Sequence, residues 1–92
     1  MYLWFNSLAN FFKVYNNSVV RNANDAPMGI SYIHESKYAA NNPYLFWTTL
    51  ITIRSKEKYT QQIALPWGNG VAHSIAYRVK DDGKWFDWNY LN

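Results

Sequence analysis

The chain is predicted to fold as a mainly β protein: an antiparallel meander of four strands, with a short strand on its N-terminal side and a short helix ahead of that. Three observations carry this reading. From residue 44 onward, runs of aromatic, β-branched and Thr residues alternate with short polar turns. Asp82-Gly83 has the composition of a two-residue hairpin turn. Aromatic residues make up 20 % of the chain, against 16 % charged residues, a balance that argues against disorder. A length of 92 residues allows one domain, which would bury roughly 60–65 % of its unfolded surface.

The first element spans residues 3–15. Trp4, Leu8, Phe11, Phe12 and Tyr15 recur at helical spacing, Ser7 can cap a shorter helix, and Asn16-Asn17 is a natural stop. Such an amphipathic element either covers one face of a sheet or serves as a stem through which chains associate. Residues 16–27 are turn-rich and read as a linker or irregular loop. The chain therefore divides into an N-terminal helix and linker, or assembly stem, over 1–26, and a β domain over 27–92. A short strand follows at 29–34, then a loop that ends in Asn41-Asn42-Pro43.

Four strands are expected at 45–54, 59–67, 71–80 and 84–91. They are joined by Lys56-Glu57-Lys58, Gly68-Asn69-Gly70 and Asp81-Asp82-Gly83. A type I′ turn at Asp82-Gly83 sets the last register. Val79 faces Phe86, Tyr77 faces Trp88 and Ile75 faces Tyr90 on one side; Arg78 meets Asp87, Lys80 meets Trp85 and Asp81 meets Lys84 on the other. A slip of one residue would mix apolar and charged faces, so this register is preferred. A three-residue loop at Gly68-Asn69-Gly70 then places Ile63 opposite Ile75 and Leu65 opposite His73.

The expected core face collects Trp47, Ile51, Ile53, Ile63, Leu65, Ile75, Tyr77, Val79, Phe86, Trp88 and Tyr90. The opposite face carries small and hydroxyl-bearing residues such as Thr48, Thr52, Gln62, Ala64 and Ala76, with Leu50, Arg78 and Trp85 among them.

Several function classes find little footing. The chain has no cysteine, which removes disulfides, Cys-based zinc sites and thiol nucleophiles. Its two histidines, His34 and His73, lack metal-ligand spacing, and its serines lack a nucleophile signature. His34 is expected on the surface and His73 toward the core. No cofactor and no enzymatic activity are expected. The net charge of +3 is spread along the chain, so nucleic acid is not an expected partner. The N-terminal apolar stretch is broken by Asn6 and Asn10, which argues against a signal peptide or membrane insertion.

A binding module remains. Trp85 on the outer face, flanked by Arg78, Lys80 and Asp87, sets an apolar ring beside donors and acceptors, a combination that suits sugars. Trp67 and Asn69 at a loop tip, and Asn89 on the outer face, are further candidates. The plainer reading of Trp85 is that a neighbouring element or subunit buries it.

The ordered succession Gly29-Ile30-Ser31-Tyr32, Asn41-Asn42-Pro43, Leu50-Ile51-Thr52-Ile53, Thr60-Gln61-Gln62-Ile63-Ala64, Ala76-Tyr77-Arg78-Val79, Gly83-Lys84-Trp85-Phe86-Asp87-Trp88 and Leu91 resembles the knob domain of phage and R-type pyocin tail fibres. Asn41-Asn42-Pro43 stands where that pattern more often has Asn-Ala-Pro, and the segment before Asn16 has no counterpart. The resemblance implies a C-terminal module of a tail fibre or tailspike. Such a module would be a homotrimer located in the virion, contacting bacterial surface polysaccharide without covalent chemistry. A rival expectation is a small phage-encoded inhibitor that binds a host enzyme by surface complementarity.

Overall fold

The computed structural model describes residues 19–56, 58–67 and 75–91. The expected helix over 3–15, the Gly68-Asn69-Gly70 turn with Asn69, and His73 lie outside the described residues. The protein is mainly β. One sheet contains β1 (Val19–Val20), β2 (Gly29–Ile33), β3 (Thr48–Lys56), β4 (Tyr59–Pro66), β5 (Ile75–Asp81), β6 (Lys84–Trp85) and β7 (Asn89–Leu91). The order is β1-β2-β3-β4-β5-β6, and β7 also pairs with β5. Among the described residues the sheet has seven strands, and it is mixed because β1 runs parallel to β2, so it is not a four-stranded antiparallel meander.

The central strands follow local preference. Thr48-Thr49-Leu50-Ile51-Thr52-Ile53 is a run of residues that suit a pleated, half-buried surface, and it pairs with β4 along Ile51↔Ile63 and Thr52↔Gln62. A bulge after Arg54 closes this hairpin. Between β4 and β5, Ile63 faces Tyr77, not Ile75 as the sequence predicts. That two-residue offset leaves the face of every side chain unchanged, because side chains alternate with period two.

The final hairpin begins as predicted and then departs. Lys80 pairs with Trp85 and Asp81 with Lys84, and Asp82 and Gly83 both adopt positive φ, 50° and 81°, as a primed turn requires. The Phe86 amide still donates to the Val79 carbonyl at 3.0 Å. Beyond it the pairing becomes Tyr77↔Asn89, Ala76↔Tyr90 and Ile75↔Leu91. One extra residue has been taken up across 86–88, and such an insertion turns the following side chains to the other face. Trp88 and Tyr90 therefore come to the same side as Trp85, where the sequence places them on opposite sides.

The core lies on the face read as the outer one. Leu50, Ala64 and Ala76 are fully buried, as are Ser31, Thr48, Thr52 and Gln62 close beside them. The expected core residues Ile53, Ile75, Tyr77, Phe86 and Tyr90 are exposed. Loop backbone explains the inversion. Residues 21–26, expected to be linker, form a roof over the sheet, with a 3-10 turn at Ala23–Asp25 capped by the Asn22 side chain. Ala23 and Ala26 of this roof are buried against Leu50, Ala64 and Ala76. A covering made of backbone needs small, hydrogen-bonding residues beneath it, because buried peptide groups must be paired.

The loop over 34–47 completes the cover. The Asn42 side chain donates to the carbonyls of His34 and Phe46 and accepts from the Tyr44 amide and the Thr48 hydroxyl, all within 3.1 Å. Trp88 Nε1 donates to Asn41 O and the Tyr90 hydroxyl to Pro43 O. The Asn41-Asn42-Pro43 segment is thus anchored to the C-terminal strand.

Gly83 tests the turn in isolation, since a Cβ there would meet no atom within 4 Å. Gly83→Ala is expected to cost about 1 kcal/mol in urea unfolding from backbone strain alone. An unchanged midpoint would contradict the positive-φ turn.

Candidate functional site

Arg78 is a buried cation held by two hydrogen bonds and two aromatic rings. Only 4 % of it is exposed, and no carboxylate among the described residues pairs with it. Nε donates to Gln62 Oε1 at 2.8 Å and an Nη donates to Asn24 Oδ1 at 2.7 Å. The guanidinium lies 3.8 Å from the Trp85 ring centroid and 4.7 Å from that of Trp88. Gln62 relays the network by donating to Ala23 O at 2.7 Å and Thr52 Oγ1 at 3.2 Å. Arg54 adds a second clip, reaching Ala26 O at 3.2 Å.

Burial lowers the Arg78 pKa from 12.5 to about 10, so the side chain remains charged at neutral pH. The cost of taking a cation out of water is offset by neutral acceptors and two indole faces.

This arrangement corrects the candidate glycan patch. Trp85 is half-buried with its face on Arg78, and Arg78 has no surface to offer a ligand. Lys80 lies beside them, its Nζ 5.7 Å from the Trp85 ring. Asp87 and Asn89 are exposed, and the Asn89 side chain donates to the Asp87 carbonyl at 3.3 Å. The structure brings Trp85, Arg78 and Lys80 together as a structural stack, with Trp88 as its second plate.

Trp67 sits at the other end of the sheet, just past the end of β4, whose start pairs with Lys80. It is 56 % exposed, and its Nε1 donates to Thr49 Oγ1 at 2.8 Å. Its ring stacks on Trp47 with centroids 6.0 Å apart and meets Tyr32 edge-on at 5.8 Å. Trp47 in turn lies 4.2 Å from His34, so His34 is half-buried within an aromatic cluster and not a free surface residue. Glu35, Phe46, Trp47 and Trp67 line a cleft of about 180 Å³. Sequence reasoning missed Trp47, Phe46 and Glu35 here. The signal was available: continuing the Ile51↔Ile63 register places Trp47 opposite Trp67.

The remaining feature is the open face of the sheet. Ile53, Ile63, Ile75, Tyr77, Val79 and Leu91 line a groove of about 650 Å³. It continues toward Tyr59, Lys80 and Asp81 at the turn end. Gln61, paired between Ile53 and Val79, is exposed in the middle of this face, and Gln62 and Arg78 border the groove. Among the described residues no three His, Asp or Glu side chains are placed to hold a metal.

No protein-family model matches the chain, and neither a curated protein nor a solved structure matches it.

Two substitutions separate charge from geometry in the Arg78 stack. Arg78→Lys keeps the cation but loses the planar fork, and is expected to destabilise the fold by about 2 kcal/mol in urea unfolding. Gln62→Leu leaves Arg78 Nε and Ala23 O unpaired and should cost about as much. Wild-type stability in both variants would show that the network does not hold the roof.

Proposed function

We propose that the protein is a noncatalytic assembly and attachment module of a phage or phage-like tail fibre, acting as a homotrimer that contacts bacterial surface polysaccharide. The observation that carries this reading is the open aliphatic face. Ile53 is 42 % and Tyr77 39 % exposed, within a largely apolar patch interrupted by Gln61, on a sheet whose other face is covered by residues 21–26. A patch of this kind marks an interaction surface. Largely apolar, with the Gln61 amide as its exposed polar group, it suits packing against its own copies. Three copies joined in this way would present three identical contacts, so that weak individual binding becomes avid.

The ordered sequence motifs that resemble tail-fibre knobs, from Gly29-Ile30-Ser31-Tyr32 to Leu91, support the same reading. The closing Trp85 and Trp88 do not supply the contact, because both rings are committed to Arg78. Trp67, exposed and held by Thr49, is the sequence-predicted contact residue that still presents a ring to solvent.

Light scattering on the purified chain is expected to give three times the monomer mass. Replacing Ile53 and Ile75 together by Lys should weaken association by roughly a hundredfold, about 3 kcal/mol, by burying unpaired charge. A wild-type monomer that instead binds one host enzyme through this face would overturn the proposal in favour of an inhibitor.

A further inference from the structure

We propose that the strand end carrying Tyr38, Leu45, Phe46 and Trp67 docks in the interfacial layer of an anionic lipid bilayer. This goes beyond the polysaccharide contact and shares only Trp67 with it. Register places these residues at one end of the sheet. Tyr38 follows the end of β2, Leu45 and Phe46 precede the start of β3, and Trp67 follows the end of β4. All four are exposed, Leu45 most of all at 74 %. The opposite end is charged, with Lys58, Lys80, Asp81, Asp82 and Lys84 gathered at the two hairpin turns. At the apolar end the described charged residues are Arg21, Glu35 and Lys37, and Lys37 Nζ lies 5.5 Å from the Tyr38 ring centroid.

The exposure is built in. Asn42 ties the loop to the carbonyls of His34 and Phe46 and to the Thr48 hydroxyl. Tyr44, next to Leu45, is buried and meets Tyr90 edge-on. With the inward place taken by Tyr44, Leu45 is left in water, where an apolar side chain is costly unless something covers it. Leu45 and Phe46 have no side-chain polar atom for a saccharide hydroxyl, and the Trp67 Nε–H is already given to Thr49. A lipid boundary takes apolar side chains without a shaped pocket. It favours Trp and Tyr at headgroup level, and cations beside them meet anionic phosphate.

The test uses the full chain and vesicles of phosphatidylcholine mixed with phosphatidylglycerol. Because the chain has no cysteine, Leu45→Cys and Lys84→Cys each accept a single environment-sensitive fluorophore. The label at 45 is expected to brighten and shift to the blue on vesicle addition, while the label at 84 does not respond. In co-sedimentation, Leu45→Asp should weaken vesicle binding at least about tenfold, the loss expected when one leucine no longer enters an apolar phase. Light scattering on Leu45→Asp should give the wild-type mass, so that a failure here is distinct from a failure of the proposed trimer.

An unlabelled wild-type chain that stays in the supernatant would overturn the proposal. So would equal responses from the two labels, which would mark adsorption by net charge alone, or wild-type binding by Leu45→Asp. A label at 45 that ignores vesicles and responds to bacterial surface polysaccharide would also overturn it, leaving this end as a saccharide contact.

Discussion

A buried cation with no carboxylate partner among the described residues constrains everything around it. The Arg78 guanidinium must find acceptors and polarisable surface within its own reach. It finds them in Gln62 on the neighbouring strand, Asn24 in the roof, and the indoles of Trp85 and Trp88 from the last hairpin. Three regions far apart in the chain are thereby tied to one point. Removing any one of them would leave a buried charge partly uncompensated, which is far costlier than losing an ordinary surface contact. The network also explains the extra residue across 86–88. Without it Trp88 would point away from Arg78, and the second aromatic plate would be lost.

The same constraint sorts the two sides of the sheet. A roof made of loop backbone sits on Arg78, Gln62 and Arg54, so the strands beneath it carry Ala, Thr, Ser and Gln at inward positions. Leu50 and Ile33 are the large aliphatic residues in this core, and Ile53, Ile63, Ile75, Val79 and Leu91 lie on the opposite side. A single domain of this size would ordinarily bury such residues first. Their exposure is the observation on which the proposed association rests.

Much of this architecture is legible in the sequence. The alternation from Thr48 to Asp81 marks the strands, and Asp82-Gly83 marks both a turn type and a register that hold for Lys80 and Asp81. Which face turns inward is not legible from alternation alone. That choice depends on what covers the sheet, and here the cover is residues 21–26, whose composition reads as linker. Its decisive contact, from Asn24 to Arg78, spans 54 residues, beyond any local pattern. The insertion at 86–88 is hidden for a related reason: Phe86-Asp87-Trp88 satisfies regular alternation equally well, and the contacts that accompany the irregular path, to Arg78, Asn41 and Pro43, are all distant in sequence. Trp67 could be found from its loop-tip position, whereas Glu35 and Phe46 reach the cleft only through the folding of the 34–47 loop.

The central claim is that the Arg78 side chain is buried and sandwiched, and the proton on its Nε reports on this directly. In an NMR spectrum of the folded chain that resonance should lie upfield through the ring currents of two indoles. It should also exchange with water far more slowly than the Nε proton of exposed Arg21. A resonance at the ordinary arginine position, exchanging as fast as that of Arg21, would contradict the account.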